Sequence, residues 1–96
     1  MTMIYLEEQT ETLEQIATTA EKEQLREIIL YNDDVNTFDW VIESLIDICE
    51  HSLEQAEQCS ILVHYKGQCA VKTGTYKDLE PRCTALLERG LSAEIS

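Results

Sequence analysis

The sequence is short of basic residues. Its 96 residues include 7 lysines and arginines against 19 aspartates and glutamates, which gives a formal net charge of -12. Because nucleic-acid backbones and anionic membrane headgroups repel such a chain, neither nucleic acid nor a membrane is an expected partner. The balance favours basic or amino-bearing ligands, although the same charge can serve only to keep a small protein soluble.

Long apolar runs are also missing. No stretch approaches the roughly 20 apolar residues of a membrane-spanning helix. The N-terminus lacks the basic start and apolar segment of a signal peptide. We therefore expect a cytoplasmic protein, and the length allows one small domain with a modest core.

The cysteines lack the spacing of a metal or dithiol site. None of the four forms a C-x-x-C pair, and each lies among apolar neighbours. We predict that they are small buried hydrophobic side chains, and we predict no catalytic residue, metal or cofactor. The four are Cys49, Cys59, Cys69 and Cys83.

The first 24 residues differ in composition from the rest. Residues 1–24 contain six glutamates and one lysine, a local net charge of -5, and few large apolar side chains. A short helical stripe of apolar residues is marginal on its own. We predict an acidic, flexible tail over residues 1–24 and a folded domain over residues 25–96.

After the tail, hydrophobic spacing alternates between the period of strands and that of helices. Ser52 and Gln55 form a capping box, Gly67 and Gly90 are predicted to end helices, and Pro81 is placed in the first turn of the last helix. The predicted fold is an α/β (α+β) domain, a small three-stranded sheet packed against three helices in the order β-α-α-β-α-β. The predicted elements cover residues 25–31, 38–49, 53–65, 69–75, about 76–89 and 91–95.

Two segments, residues 30–36 and 61–67, place polar side chains beside apolar ones. If they meet in space, Asn32, Asp33 and His64 supply an amide, a carboxylate and an imidazole next to apolar walls. Such a set suits a protonated amino group with an apolar substituent. The simpler interpretations are that the Asn-Asp-Asp cluster only forms a turn and that the histidine only closes a helix.

Three short motifs share a distinctive order and spacing: Asn32-Asp33-Asp34 after a strand, Phe38-Asp39-Trp40-Val41-Ile42 at a helix start, and Gln55-Ala56-Glu57-Gln58 leading to Val63-His64-Tyr65-Lys66-Gly67. Together they resemble the ClpS family of adaptors, which serve the Clp ATP-dependent proteases of bacteria and read N-terminal degradation signals. The resemblance runs from about Ile28 to Thr75 and more loosely to Ile95. It implies a non-catalytic adaptor that delivers N-degron proteins to a Clp AAA+ unfoldase for degradation.

The resemblance also implies roles for individual residues. Asn32, Asp33 and His64 would contact the free α-amino group of a client whose first residue is Phe, Tyr, Trp or Leu. The implied partner is the N-terminal domain of a ClpA- or ClpC-type unfoldase, with residues 1–24 contributing to hand-over. The pocket for the first side chain would be lined by Asn36, Phe38, Val41, Ser60, Val63 and Leu91.

The chain departs from the usual family pattern within that pocket. Asn36 stands where threonine is common, and Phe38 and Ser60 stand where methionine is common. We expect the serine to deepen the floor and the phenylalanine to narrow the rim. The segment from Gly67 to Leu91 is also several residues shorter than in better-known members, so the residues that dock on the unfoldase are not transferred.

Two other classes of function are compatible with the residues alone. The first is a small metal-dependent or thiol hydrolase, which would use the residue 32–34 cluster with His64, or the thiol of Cys69. Neither arrangement has the spacing of a known site. The second is a general protein-interaction domain that has kept the fold and lost recognition of the amino terminus.

Overall fold

The computed structural model of the chain describes residues 24–96. The predicted tail over residues 1–24 therefore lies almost entirely outside the described residues. Six elements follow one another in the predicted β-α-α-β-α-β order. They are β1 (Leu25–Tyr31), α1 (Phe38–Cys49), α2 (Leu53–Lys66), β2 (Gln68–Thr75), α3 (Tyr76–Glu88) and β3 (Ser92–Ile95).

The three strands form one antiparallel sheet with β1 in the centre, in the order β2-β1-β3. Ile28 of β1 pairs with Lys72 and Ile29 pairs with Ala70, so Val71 is an extra residue that forms a bulge in β2. Tyr31, the last residue of β1, pairs with the first residues of both neighbouring strands. The end of β1 and the starts of β2 and β3 therefore lie side by side at one end of the sheet, and the loop that follows β1 begins there.

The helix starts follow the side-chain signals in the sequence. The hydroxyl of Thr37 accepts a hydrogen bond from the backbone N–H of Trp40 at 3.2 Å, which caps α1. Ser52 and Gln55 form the predicted capping box at the start of α2, with bonds of 3.2 and 2.9 Å. Gly67 ends α2 with a φ of 89°, in the left-handed region that favours glycine.

Two details of α3 differ from the prediction. Pro81 is the sixth residue of the helix and lies in its second turn, because the hydroxyl of Thr75 caps the helix one turn earlier than a first-turn proline requires. In a helix the N–H of residue 81 would bond to the carbonyl of Lys77, and proline has no N–H, so this hydrogen bond is missing. Gly90, with a φ of 84°, follows the C-cap residue Arg89 instead of being the cap itself.

The core lies between the sheet and the helices. Each helix contributes buried side chains at helical spacing, and β1 contributes alternate residues from its inner face. Within residues 24–96, each helix is too short or too polar to span a lipid bilayer. The buried apolar residues are Ile28, Leu30, Leu45, Cys49, Ala56, Val63, Val71, Leu79, Cys83, Leu86 and Leu91.

Candidate functional site

A cavity of about 340 Å³ opens where the end of β1 meets the loop 32–37, the start of α1 and the second half of α2. The segments 30–36 and 61–67, remote in sequence, both contribute to its lining. The structure brings all nine residues of the predicted site to this one cavity. They are Asn32, Asp33, Asn36, Phe38, Val41, Ser60, Val63, His64 and Leu91.

The inner part of the cavity is buried and almost wholly apolar. Leu30, Val63 and Leu91 expose only 2–4 % of their surface, and Ser60 exposes 3 %. We call these four residues the floor. Val41, half-buried on α1, forms an adjoining apolar wall. Because the floor is buried and lined mainly by apolar side chains, an apolar side chain that enters it would be removed from water.

The outer part of the cavity, which we call the mouth, is exposed and mainly polar. Asn32 and His64 are exposed, and Asp33 is half-buried. The ring of Phe38 is 43 % exposed at the first residue of α1 and forms the apolar edge of the mouth. That this phenylalanine narrows the rim of a binding pocket stays a prediction.

Hydrogen bonds hold the carboxylate of Asp33 in a fixed position. Its Oδ1 accepts from the backbone N–H groups of Val35 at 3.0 Å and Asn36 at 2.9 Å, and its Oδ2 accepts from the side-chain amide of Asn36 at 2.8 Å. Partial burial by itself raises the pKa of this carboxyl, but the three hydrogen bonds outweigh it and hold the pKa below its ordinary value of 3.8. Asp33 is therefore a fixed anion at neutral pH.

Asn36 connects this loop to a distant part of the chain. Its side-chain amide donates to Asp33 Oδ2 and also to the carbonyl oxygen of Gly90, each at 2.8 Å. The sequence predicted Asn36 only as a lining residue of the first-residue pocket. It does line the cavity, but its two amide protons also join the loop 32–37 to Gly90, the residue before Leu91.

A backbone hydrogen bond ties Asn32 to the end of the helix that carries His64. The N–H of Asn32 donates to the carbonyl of Gly67 at 2.9 Å, which ties the start of the loop to the end of α2. His64 lies in the last turn of that helix, and its ring contacts the edge of Tyr65 with centroids 5.0 Å apart. Within the described part of the chain, the imidazole makes no hydrogen bond.

Sequence reasoning missed three lining residues. Leu30, Tyr31 and Asp34 also face the cavity. Leu30 and Tyr31 end β1, and the position of that strand end was predicted, so their place beside Asn32 could have been found from the strand boundary alone. The hydrogen bond to the carbonyl of Gly90 could not be predicted from the sequence, because every residue type has the same backbone carbonyl.

The thiols do not have the environment of catalytic nucleophiles. Burial raises the pKa of Cys49 to about 11, and burial with a hydrogen bond to Cys69 raises that of Cys59 to about 12. Cys49 and Cys83 are buried as predicted, whereas Cys59 and Cys69 are only half-buried. Among residues 24–96, no three His, Cys, Asp or Glu side chains are grouped so as to hold a metal ion.

Comparison of the sequence with protein families identifies a family to which most of the chain is similar. Residues 21–94 match the family described as ATP-dependent Clp protease adaptor protein ClpS. The chain is 41% identical over 66 residues to the ClpS adapter protein of Campylobacter jejuni strain 81-176, covering 67% of each chain. It is 35% identical over 68 residues to that of Acetivibrio thermocellus, covering 71% of this chain and 68% of the relative.

The fold is likewise similar to a solved structure, that of Agrobacterium tumefaciens ClpS2 bound to L-phenylalaninamide. The TM-score is 0.71 at 20% sequence identity, and the match covers 77% of this chain and 96% of the other. The family match confirms the adaptor predicted from the sequence motifs and contradicts the hydrolase alternative. The chain therefore belongs to the ClpS family, and is a non-catalytic adaptor that delivers substrates to the Clp protease.

Proposed function

We propose that the cavity binds the first residue of a client protein, with the free α-amino group at the mouth and a bulky hydrophobic side chain on the floor. The observation that carries the proposal is that a fixed carboxylate and a buried apolar hollow belong to one cavity. An α-ammonium group needs both countercharge and directed acceptors where water is partly excluded. The bound L-phenylalaninamide of Agrobacterium ClpS2 has such an amino group beside an aromatic side chain, which supports the same chemistry here.

Each polar residue of the mouth has a distinct part in this proposal. Asp33 supplies the negative charge. Because hydrogen bonds already fix its carboxylate, binding a client costs little side-chain entropy at this residue. The side-chain oxygen of Asn32 and a neutral ring nitrogen of His64 accept the remaining ammonium protons. Asn36 positions Asp33, because its side-chain amide donates one proton to the carboxylate and the other to the carbonyl oxygen of Gly90.

The apolar residues set the class of first side chain. The apolar lining accepts Phe, Tyr, Trp or Leu. It consists of Val63 and Leu91 on the floor, the wall residue Val41 and, at the mouth, Phe38. Burying such a side chain contributes about 1.5–3 kcal/mol, and each charge-assisted hydrogen bond about 1.5–3 kcal/mol.

Calorimetry tests the binding site directly. The protein is titrated with a peptide that begins with Phe, with the same peptide acetylated at its N-terminus, and with a divalent cation. We expect heat of binding only from the free peptide, because acetylation removes the charge and the donors. Equal binding of the acetylated peptide would contradict the proposal, and so would a peptide with Asp or Gly in first place that binds as tightly as the Phe peptide.

We also propose that the partner is the N-terminal domain of a ClpA- or ClpC-type unfoldase and that residues 1–24 contribute to hand-over. The support is the family membership together with the acidic composition of that segment. Deleting residues 1–24 should leave the calorimetric affinity for the Phe peptide unchanged. The same deletion should slow degradation of a client by the unfoldase and its protease. Unchanged degradation would overturn the role of the segment.

A further inference from the structure

Ser60 places an unpaired hydroxyl in the floor of the cavity. The residue is 3 % exposed, and within the described part of the chain its Oγ has no hydrogen-bond partner. A serine inside a helix usually bonds back to the carbonyl four residues earlier, and that bond is absent here. Buried hydroxyl groups without a partner are uncommon in proteins and are unfavourable, so this one calls for an explanation.

The surroundings of the hydroxyl are apolar. Leu30, Val63 and Leu91 share the floor with Ser60, and the polar lining residues Asn32 and His64 are exposed at the mouth. No side chain of the mouth reaches Ser60 to pair with it, since its Oγ is without a partner among residues 24–96. Since Ser60 lines the cavity, a ligand bound there is the available source of a partner for the hydroxyl.

The distance from the mouth to Ser60 suits an aromatic side chain. Ser60 and His64 are four residues apart on α2, so they lie on one face of the helix, about one turn or 5–6 Å apart along its axis. An aromatic side chain has a comparable length from its Cα to the far end of its ring. A client whose amino group lies beside His64 would thus bring the para position of its ring close to the Ser60 hydroxyl.

We propose that Ser60 makes this cavity select tyrosine over phenylalanine as the first residue of the client. The inference rests on the proposed function, and it adds a polar specificity to a pocket otherwise defined by apolar walls. A serine hydroxyl and a phenol can each donate to and accept from the other. Phenylalanine or leucine leaves the serine unpaired, whereas tyrosine pairs it in a place closed to water.

Four peptides that differ only in the first residue test this selection: Tyr, Phe, 4-methylphenylalanine and Leu. We expect the Tyr peptide to bind about tenfold more tightly than the Phe peptide. The 4-methylphenylalanine peptide has the length of tyrosine without its hydrogen bond, and it should bind no better than the Phe peptide. In Ser60→Ala the preference should vanish or reverse, because the floor is then wholly apolar.

The stability of the Ser60→Ala variant provides a second readout. Because the hydroxyl has no partner in the fold, its removal should leave the urea midpoint unchanged or higher. A lower midpoint would mean that the hydroxyl is bonded within the protein, and the inference would then be wrong. It would equally be wrong if wild type bound Tyr and Phe peptides alike, as expected if a water molecule satisfies Ser60, or if Ser60→Ala kept the preference.

Failure of the proposed function gives a different result. In that case the acetylated Tyr peptide binds as tightly as the free one, or none of the four peptides binds, and both proposals fall together. If the free amino group is required but Tyr and Phe peptides bind alike, only the role of Ser60 is lost.

Discussion

The loop 32–37 and the C-terminal end of α2 both supply polar groups to the mouth of the cavity, but the protein holds them in different ways. Both carboxylate oxygens of Asp33 accept hydrogen bonds, and Asn36 fastens the loop to a distant segment. His64 is exposed, and among the described residues its ring has an edge contact with a neighbouring tyrosine and no hydrogen bond.

The carboxylate of Asp33 is therefore preorganised for binding, whereas the imidazole of His64 becomes ordered only when a ligand binds. The charge of Asp33 is in place before a client arrives, so its attraction for an ammonium group is realised with little loss of side-chain entropy. The imidazole of His64 must give up rotational freedom when it binds, which offsets part of its hydrogen bond. We therefore expect the loop to contribute more to affinity than the helix end, and the following variants test that ranking.

The largest effect is expected from Asp33→Asn. The variant keeps the size of the side chain and removes the countercharge, so the affinity for a Phe-initiated peptide should fall roughly 10- to 100-fold, or about 1.5–3 kcal/mol. Calorimetry measures the change. Asp39→Asn is the matched control, because Asp39 is exposed on α1 outside the cavity and carries the same charge. Comparable losses in both variants would mean that the effect is general electrostatics.

The next effect distinguishes Asn36 from Asn32 within the same loop. Asn36→Ala removes two hydrogen bonds of the fold, so the free energy of unfolding should fall by about 1–2 kcal/mol in urea, with the slope unchanged. The side chain of Asn32 makes no hydrogen bond within residues 24–96, since only its backbone N–H is bonded there. Asn32→Ala should therefore change the free energy of unfolding by less than about 0.5 kcal/mol. Asn32→Ala should instead weaken binding of the Phe peptide. Similar stability losses in the two variants would contradict the assignment of Asn36 as the fastening residue.

A smaller loss of affinity is expected from His64→Ala. Since the imidazole is exposed and unfastened, we expect the Kd for the Phe peptide to rise about threefold to tenfold, less than for Asp33→Asn. Glu57→Ala, an exposed change on the same helix away from the cavity, should leave the Kd unchanged. If His64→Ala weakened binding more than Asp33→Asn did, the helix end and not the loop would be the main determinant.

The parts of the fold that the sequence predicted are those with local signals. The spacing of apolar residues fixed β1 and the start of α1, and the pair Ser52 and Gln55 marked the start of α2 by a hydrogen-bond exchange between near neighbours. The start of α3 was predicted within a residue, and that start, capped by Thr75, places Pro81 in the second turn because the preference of proline for first turns is only a tendency.

The site was predictable in its membership and much less so in its contacts. The resemblance to the ClpS family implied the nine residues that line the cavity, but the bond from Asn36 to the carbonyl of Gly90 spans 54 residues and depends on how α3 packs. The unpaired hydroxyl of Ser60 is also a property of packing, since a serine in a helix ordinarily finds a backbone partner. Long-range contacts of this kind leave no periodic pattern in a single sequence.

The smallest effect is expected from acid, and it concerns the loop alone. The pKa of Asp33 in the folded chain lies below 3.8, because hydrogen bonds from Asn36 and Val35 outweigh the effect of burial. Such a carboxyl binds fewer protons when folded than when unfolded, so its contribution to stability is present above pH 3.8 and is lost as pH falls through the folded pKa.

The difference in unfolding free energy between wild type and Asp33→Asn should therefore be constant from roughly pH 7 to pH 5 and shrink in more acidic solution. Urea unfolding at a series of pH values measures it, and Asp39→Asn should give a difference that changes little over the same range. His64→Ala serves as the comparison from the helix end, since its ring contributes no hydrogen bond to the described fold. A difference for Asp33→Asn that persists unchanged at pH values below 3.8 would mean that the loop does not distinguish the ionised carboxylate from the neutral acid.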